Sequence, residues 1–288
     1  MVFKLNSPFF SIIIPTFNRI DDLRKALESV FLQDFEDFEV LVVDNESDDG
    51  TDKLINSISD NRLNYYRIKN NGIIAKSRNL GIKKSRGNFI VFLDSDDYWD
   101  TKKLSYLYSA INSAPNIDFL YHDFYESFDL HNKRKYVRNI SRAPYDSMIK
   151  NGNPVATSCA CVRSKVLKSY SFPTDYVYVG WEDFSLWLTI AKSGYQFSFL
   201  RYPLTYLKKN ENNFSTSDQI IKNLTNMRRI YEVFKDAAWI DYEFGRAHIK
   251  KNEIMIARKY LLKSMFSYPL NLSLFFRTSI QYMSTLIK

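Results

Sequence analysis

The sequence predicts an α/β fold with a mostly parallel, doubly wound central sheet and a helical C-terminal extension. Three observations carry this expectation. Residues 10–14, 38–43 and 89–93 are largely apolar, strand-forming runs of the kind buried on both faces of a parallel sheet. Segments with apolar residues at helical spacing alternate with such runs, which is the pattern of strand–helix–strand units. Each run then stops at a polar cluster, at residues 15–19, 44–48 and 94–97. Open parallel sheets bind ligands beyond the carboxyl ends of their strands, so the three clusters should line one crevice.

In chain order, the first strand ends in Pro15-Thr16-Phe17-Asn18-Arg19. A helix is expected over 21–32, with Leu23, Ala26, Leu27, Val30 and Phe31 at helical spacing and Asp21 and Asp22 in the first turn. Strand 38–43 closes at Asp44-Asn45-Glu46-Ser47-Asp48-Asp49-Gly50-Thr51, a helix follows to about residue 59, and residues 63–68 form a third strand. Asn71-Gly72 opens a turn into a helix over 73–84, which leads to the central strand. After a helix over 101–113, Pro115 breaks the pattern, and strands at 119–124 and 135–138 suggest an antiparallel extension. The charged, poorly periodic stretch 134–149 is expected as a mobile loop. A strand over 156–162, a short helix over 164–170 and a helix opening at Gly180-Trp181-Glu182-Asp183 follow. Beyond residues 210–213 the pattern turns helical, over 218–235, 239–250 and 253–266, and Pro269 introduces a last segment rich in Leu, Phe and Ile.

Composition narrows the function. With 288 residues, 16% aromatic and 25% charged, the chain can bury a substantial core, which excludes a disordered protein. A net charge of +8 and a pI near 9.2 point to an anionic partner: nucleic acid, an anionic membrane surface or a phosphorylated substrate. From residue 217 onward 12 Lys and Arg stand against 6 Asp and Glu, so most of the surplus lies there. Cys159 and Cys161 would share one face of a strand, with no neighbouring ligand to complete a metal set, so they are expected as packed small residues in a reducing compartment. No stretch is apolar enough to span a membrane, and the short opening run 9–17 contains Pro15 and lacks a signal-peptide cleavage site, so a cytoplasmic protein is expected.

The central strand runs straight into Asp94-Ser95-Asp96-Asp97. Asp94 and Asp96 can offer two hard oxygen ligands to Mg²⁺ or Mn²⁺, leaving other positions for water and substrate phosphate. The same residues would also serve as an acidic turn that caps the helix starting near Thr101.

With these pieces in order, the sequence resembles a family 2 glycosyltransferase of the Rossmann-like glycosyltransferase A fold, of the kind that builds bacterial surface polysaccharides such as O-antigen and capsule. The resemblance covers about residues 10–215. It rests on Ser11-Ile12-Ile13-Ile14-Pro15-Thr16-Phe17-Asn18-Arg19, Val42-Val43-Asp44-Asn45-Glu46-Ser47-Asp48-Asp49-Gly50-Thr51, Ser77-Arg78-Asn79-Leu80-Gly81, Gly87-Asn88-Phe89-Ile90, Leu93-Asp94-Ser95-Asp96-Asp97 and Trp181-Glu182-Asp183. Each motif is weak alone, and six in the right order are specific. The implied organisation is a catalytic domain over 1–216, with a nucleotide-sugar half to about 113 and an acceptor half over 114–216, followed by a helical region over 217–288.

The resemblance implies an inverting transfer from a UDP-sugar to a glycan or lipid-linked oligosaccharide hydroxyl. Pro15, Thr16, Phe17 and Arg19 would line the nucleotide-sugar site with Asp94 and Ser95, and Phe17 would stack on the base. Asp44 or Asn45 would read the uracil edge; the stretch also reads as a turn with Thr51 as helix cap. Arg78 would reach the diphosphate or else stand as an exposed helical Arg. Asp96, with Asp94, would hold Mn²⁺ or Mg²⁺. Asp183 would be the general base, Glu182 would orient the acceptor and Trp181 would stack on a sugar ring; Glu182 and Asp183 also read as favourable charge at a helix N-terminus. Relatives often carry a further His ligand after the base-bearing helix. Here Tyr206-Leu207-Lys208-Lys209-Asn210-Glu211 has none, and Lys208 or Lys209 would contact the diphosphate instead. The three His, at 122, 131 and 248, are expected in packing or surface roles. The basic, apolar C-terminal segment is expected either as a peripheral contact with an anionic membrane or as helices packed on the domain. Two rivals are a sugar nucleotidyltransferase, which would show a Gly-rich basic loop after the first strand that residues 15–22 lack, and a nucleic-acid-binding protein, which would show a basic stripe interleaved with aromatics; the acidic strand ends argue against the second, and no nucleic-acid partner is expected.

Overall fold

Strand-forming runs that are apolar on both sides need cover on both faces, and the computed structural model, which describes residues 7–128, 131–209, 216–267 and 272–286, gives them that. In chain order, β1 (Phe10–Thr16), α1 (Ile20–Phe31), β2 (Phe38–Asp44), α2 (Thr51–Asn56), β3 (Leu63–Arg67), α3 (Ile74–Lys84) and β4 (Phe89–Phe92) form the alternating half. All residues of β1, β2 and β4 are buried, whereas β3, at the sheet edge, is only half-buried. There follow β5 (Tyr98–Trp99), α4 (Lys103–Ser113), β6 (Phe119–His122), β7 (Phe124–Phe128), β8 (His131–Lys135), α5 (Pro144–Asn151), β9 (Ala160–Arg163), α6 (Ser164–Ser169), α7 (Glu182–Lys192), β10 (Phe197–Leu200) and β11 (Thr205–Lys208). The C-terminal helices are α8 (Ser217–Ile230), α9 (Ala238–Lys250), α10 (Ile254–Ser267) and α11 (Leu272–Leu286).

Among the described residues the main sheet has the order β10-β6-β9-β4-β1-β2-β3, and a second sheet has the order β5-β11-β7-β8. Strands β4, β1, β2 and β3 are parallel; β9 is antiparallel to both β4 and β6. The chain winds from β1 outward to β3 and then crosses back through α3 to β4 on the other side of β1. That reversal is a topological switch point, and it opens a crevice at the carboxyl ends of β1 and β4. Two glycines let the layers close. A Cβ at Gly81 would stand 2.6 Å from Ile13 Cγ2, so that side chain would have to shift, and one at Gly87 would stand 2.6 Å from the Ser11 nitrogen, where the obstacle is backbone.

Several local expectations are corrected. The antiparallel extension is not a simple continuation: β6 enters the main sheet beyond β9, while β7 and β8 pair in the second sheet. The stretch expected as a mobile loop over 134–149 holds the end of β8 and helix α5, whose Met148 is fully buried. Strands β10 and β11 were not anticipated; they are short, and their partners come from distant sequence. Cys159 lies in a 3-10 turn, Thr157–Cys159, ahead of β9, where only Cys161 sits on the strand; both are buried free thiols pushed up to about 12 by burial. The helix expected over 218–235 stops at Ile230, because Phe234 turns inward to a fully buried place edge-on to Trp239. The change of character at 210–213 and the break at Pro269 lie outside the described residues.

The chain divides into two compact units, Met1–Arg142 with Pro154–Asn210, and Ala143–Asn153 with Glu211–Lys288. The first holds both sheets. The second is helical, with Ala238, Tyr242, Leu261 and Leu274 at its centre and Trp239, Ile249 and Tyr282 packed around them. Inside it Trp239 Nε1 donates to the Ile149 carbonyl at 2.8 Å, and Arg228 pairs with the buried Asp241 at 2.7 Å.

Candidate active site

At the switch point a cleft of about 360 Å³ is lined by Pro15, Thr16, Phe17, Arg19, Asn45, Asn70, Gly72, Ile74, Ser77, Asp94, Ser95 and Asp96. Its size is in the range of small-ligand sites. The structure thus gathers eight of the residues singled out from sequence at the ends of β1, β2 and β4. The loops that frame it are tied together: Asn18, in the left-handed region with φ 47, accepts the Asp48 N–H on its side chain while its own N–H donates to Ser47 Oγ. Phe17 projects half-exposed at the rim, and the buried Thr16 Oγ1 has no partner among the described residues.

The carboxylates at the end of β4 take different surroundings. Asp94 accepts from Arg78 at 2.7 Å, and Asp96 pairs with Arg19. Asp97 points away from the cleft and is buried; Ser158 Oγ and the Lys208 N–H donate to it, while burial and the charges of Asp94 and Asp96 push its carboxyl well above the usual range. Ser158 Oγ also accepts the Asp94 N–H at 3.0 Å, so one hydroxyl braces the whole acidic turn. Behind it the buried Lys103 donates to the Ser158 carbonyl and to Thr205 Oγ1, and burial pulls its ammonium down to about 7.

Two bridges connect this turn to the start of α7. Arg78, buried on α3, donates one N–H to Asp94 and another to Glu182 Oε1, each at 2.7 Å. The 3-10 turn makes the second bridge: Ser158 holds Asp94, and its neighbour Thr157 donates to Asp183 Oδ2 at 3.2 Å. Burial, then the adjacent Glu182, raise the Asp183 carboxyl to about 6, against the lowering pull of Arg78. Asp183 is not among the residues that line the cleft, and a carboxylate held in this range suits a group that takes up a proton near neutral pH.

Other expected residues occupy different places. Arg78 is neither exposed nor a cleft wall, because two carboxylates hold its guanidinium in the interior. Asp44 is fully buried with its oxygens committed to Ser47 and the Tyr65 hydroxyl, whereas Asn45 lines the cleft and accepts the Asn70 N–H. Trp181 is buried, its indole N–H donating to the Val177 carbonyl and its ring against Tyr178, so it is a packing residue at the base of α7. Glu182 is buried between Arg78 and the Gly180 N–H. Lys208 reaches Asp22 and Lys209 reaches Glu126; Lys208 lines a smaller hollow with Asp22, Lys25, Asp96, Asp97, Tyr98 and Ser127. His122 is buried and His248 pairs with Glu253. Sequence reasoning did not place Asn70, Gly72, Ile74, Thr157 or Ser158 at the site and quoted Ser77 only within a motif; nothing in the local pattern marks Thr157 and Ser158.

Among the described residues no three or more His, Cys, Asp or Glu are arranged to hold a metal ion between them. Asp94 and Asp96 nevertheless fit a magnesium-like ion, which keeps several positions for water and substrate phosphate and takes only one or two protein carboxylates.

The family model described as Glycosyl transferase family 2 matches residues 11–171. The chain belongs to glycosyl transferase family 2. This glycosyltransferase is 33% identical over 190 residues to UDP-Glc:alpha-D-GlcNAc-diphosphoundecaprenol beta-1,3-glucosyltransferase WfaP of Escherichia coli, covering 64% of this chain and 70% of WfaP. WfgD of the same organism, named for the same activity, is 28% identical over 90% of this chain and 96% of its own length. An uncharacterized glycosyltransferase of Rickettsia bellii is 34% identical over 63% of this chain, a match that spans only 26% of that protein. Among solved structures, S. aureus TarS 1–349 in complex with UDP-GlcNAc superposes with a TM-score of 0.59 at 20% identity, covering 96% of this chain and 88% of that one. The mannosyltransferase PcManGT of Pyrobaculum calidifontis, solved with GDP-Man and Mn2+, gives a TM-score of 0.59 at 16% identity, with coverage of 99% and 87%. The fold is therefore that of the glycosyltransferase A class, and the family excludes the nucleotidyltransferase reading.

Proposed function

We propose that this family 2 enzyme is an inverting glycosyltransferase that moves a hexose or N-acetylhexosamine from a UDP-sugar to a hydroxyl of a lipid-diphosphate-linked glycan in bacterial surface polysaccharide synthesis. The observation that carries this reading is the double bridge, through Arg78 with Glu182 and through Thr157 with Ser158, that joins the Asp94-Ser95-Asp96 turn to Asp183. It supports a donor diphosphate and a proton acceptor held at one centre. The names of WfaP and WfgD support the acceptor class, and make UDP-glucose the first donor to test.

In this reading Phe17 stacks on the base, Thr16 and Asn45 offer polar contacts to its edge, and Arg19 lies beside the diphosphate. Asp94 and Asp96 hold Mn²⁺ or Mg²⁺, which when bound supplies positive charge against the diphosphate. Asp183 takes the proton from the acceptor hydroxyl as that oxygen attacks the anomeric carbon, and the bond to the UDP oxygen breaks on the opposite face. Glu182 acts through Arg78, as a positioning residue that fixes Asp94 relative to Asp183. A lipid-linked acceptor would put the work at the inner face of the cytoplasmic membrane.

The test is donor cleavage and transfer with a panel of UDP-sugars, Mn²⁺ or Mg²⁺, and a GlcNAc-diphosphate-lipid acceptor. Transfer that a chelator and Asp96→Ala both abolish supports the reading. Transfer that is indifferent to both removes the metal from it. If no UDP-sugar is bound or cleaved, the donor class is wrong.

A further inference from the structure

Helices α10 and α11 pack as a hairpin within the helical unit, and their inward faces are small and polar as well as apolar. Ala257, Leu261 and Ser264 of α10 and Leu274, Thr278 and Thr285 of α11 are buried, and Arg258 donates to Thr285 Oγ1 and to the Thr285 carbonyl. Their outward faces reverse the usual arrangement, in which a surface helix turns charge to water. On α11 the positions opposite the packed face are Phe276, Ile280, Met283 and Leu286, at spacings of four, three and three, with Phe276 62% and Ile280 71% exposed. On α10 Met255, Leu262 and Phe266 are exposed on the side opposite Ala257, Leu261 and Ser264, Phe266 at 78%.

Large apolar side chains grouped in this way mark a contact with something outside the chain. The charge around them says what. From Ile254 to Leu286 the sequence has no Asp or Glu; Lys259 is exposed beside the apolar positions, Arg277 is exposed with its guanidinium over the Tyr242 ring, and Lys263 is half-exposed and pairs with Asp241 at 3.5 Å. We propose that the outward faces of α10 and α11 are a docking surface for an anionic lipid membrane. Phe, Ile, Met and Leu enter the boundary between headgroups and acyl chains, while the Lys and Arg meet the anionic headgroups. A second copy of this chain would bring like charges together at the same face, so the basic border favours lipid over self-association. No described helix is long and apolar enough to cross a membrane, and the surface lies on the bilayer instead of spanning it.

The inference extends the lipid-linked acceptor reading, and its test is kept separate by leaving out any sugar donor. Full-length protein is floated on vesicles of phosphatidylcholine alone and of phosphatidylcholine mixed in equal parts with phosphatidylglycerol. Recovery with the anionic vesicles that falls as salt is added is expected. The triple change Phe276→Ser, Ile280→Ser, Met283→Ser should lower partitioning by about tenfold or more, and Lys259→Glu with Arg277→Glu should lower it on anionic vesicles. These positions are exposed, so melting should be unchanged; a variant that melts early is set aside and the salt and lipid dependence of the wild type decides. Wild-type protein that stays in the soluble fraction with both vesicle types overturns the proposal. So does a two-chain mass in light scattering that the Ser variant returns to one. UDP-sugar cleavage in solution fails or succeeds independently of either result.

Discussion

Burial and the charge of Glu182 hold the Asp183 carboxyl up to about 6, and this has two opposite consequences at one residue. A general base must be deprotonated, so kcat/KM should fall as pH drops through about 6, and Asp183→Asn should lower transfer by at least about a hundredfold at every pH while UDP binding persists. Stability runs the other way. The folded protein takes up a proton at Asp183 near pH 6, whereas the unfolded chain does so only near 3.8, so the ionised carboxylate costs the fold on the order of 1–3 kcal/mol above pH 6, and the cost fades as pH falls from 6 to 3.8. Asp183→Asn should therefore melt higher than wild type at pH 8 and lose most of that advantage at pH 4.5, which paired thermal scans would check. Arg78 shows the converse. Its removal in Arg78→Met leaves Asp94 and Glu182 without their shared cation, and the expected loss is about 3–5 kcal/mol in denaturant titration, with weaker donor binding in the surviving folded fraction.

At the level of elements, the site depends on how closely β1, α3 and β4 approach one another. Gly87 donates its N–H to Ser11 Oγ and accepts from Ser164 Oγ, and its missing Cβ leaves room for the Ser11 backbone. Since the obstacle is backbone, Gly87→Ala should cost about 1–3 kcal/mol, seen as a lower denaturation midpoint with an unchanged m-value. The alternating elements from β1 to β4 were legible because their apolar periods are strong and their helices and strands are sequence neighbours. β10 and β11 were not, because each is defined by pairing with a strand far along the chain, and the 3-10 turn of Thr157–Cys159 was hidden because residues 156–162 read as one strand. Helix α5 was hidden for a related reason: its charged residues mask a single buried Met148, and its Ile149 carbonyl meets Trp239, ninety residues on.

Across the whole molecule, this pairing makes the helical unit discontinuous in sequence. Ala143–Asn153 interrupts the first unit and belongs with Glu211–Lys288. A chain cut after Asn210 would keep α5 but remove Trp239, which covers Gly152 and bonds to Ile149. Such a truncation should bind a hydrophobic dye and melt lower than the full chain, by differential scanning fluorimetry. If instead it melts at the same temperature without dye binding, α5 contributes no dependence on the C-terminal helices.

By itself the sequence determined the alternating α/β order, the three strand ends that converge and the identities of Thr16, Phe17, Asp94 and Asp96 at one cleft, and it left Asp44 and Asn45 as alternatives. Those features follow from local periodicity and from the rule that parallel strands deliver their carboxyl ends to one side. Only the tertiary structure decided that Asp44 and Trp181 are buried, that Arg78 joins Asp94 to Glu182, and that Ser158 braces the acidic turn. Those decisions depend on which side chains, distant in sequence, compete for the same buried space and the same hydrogen bonds, and no local pattern records that competition.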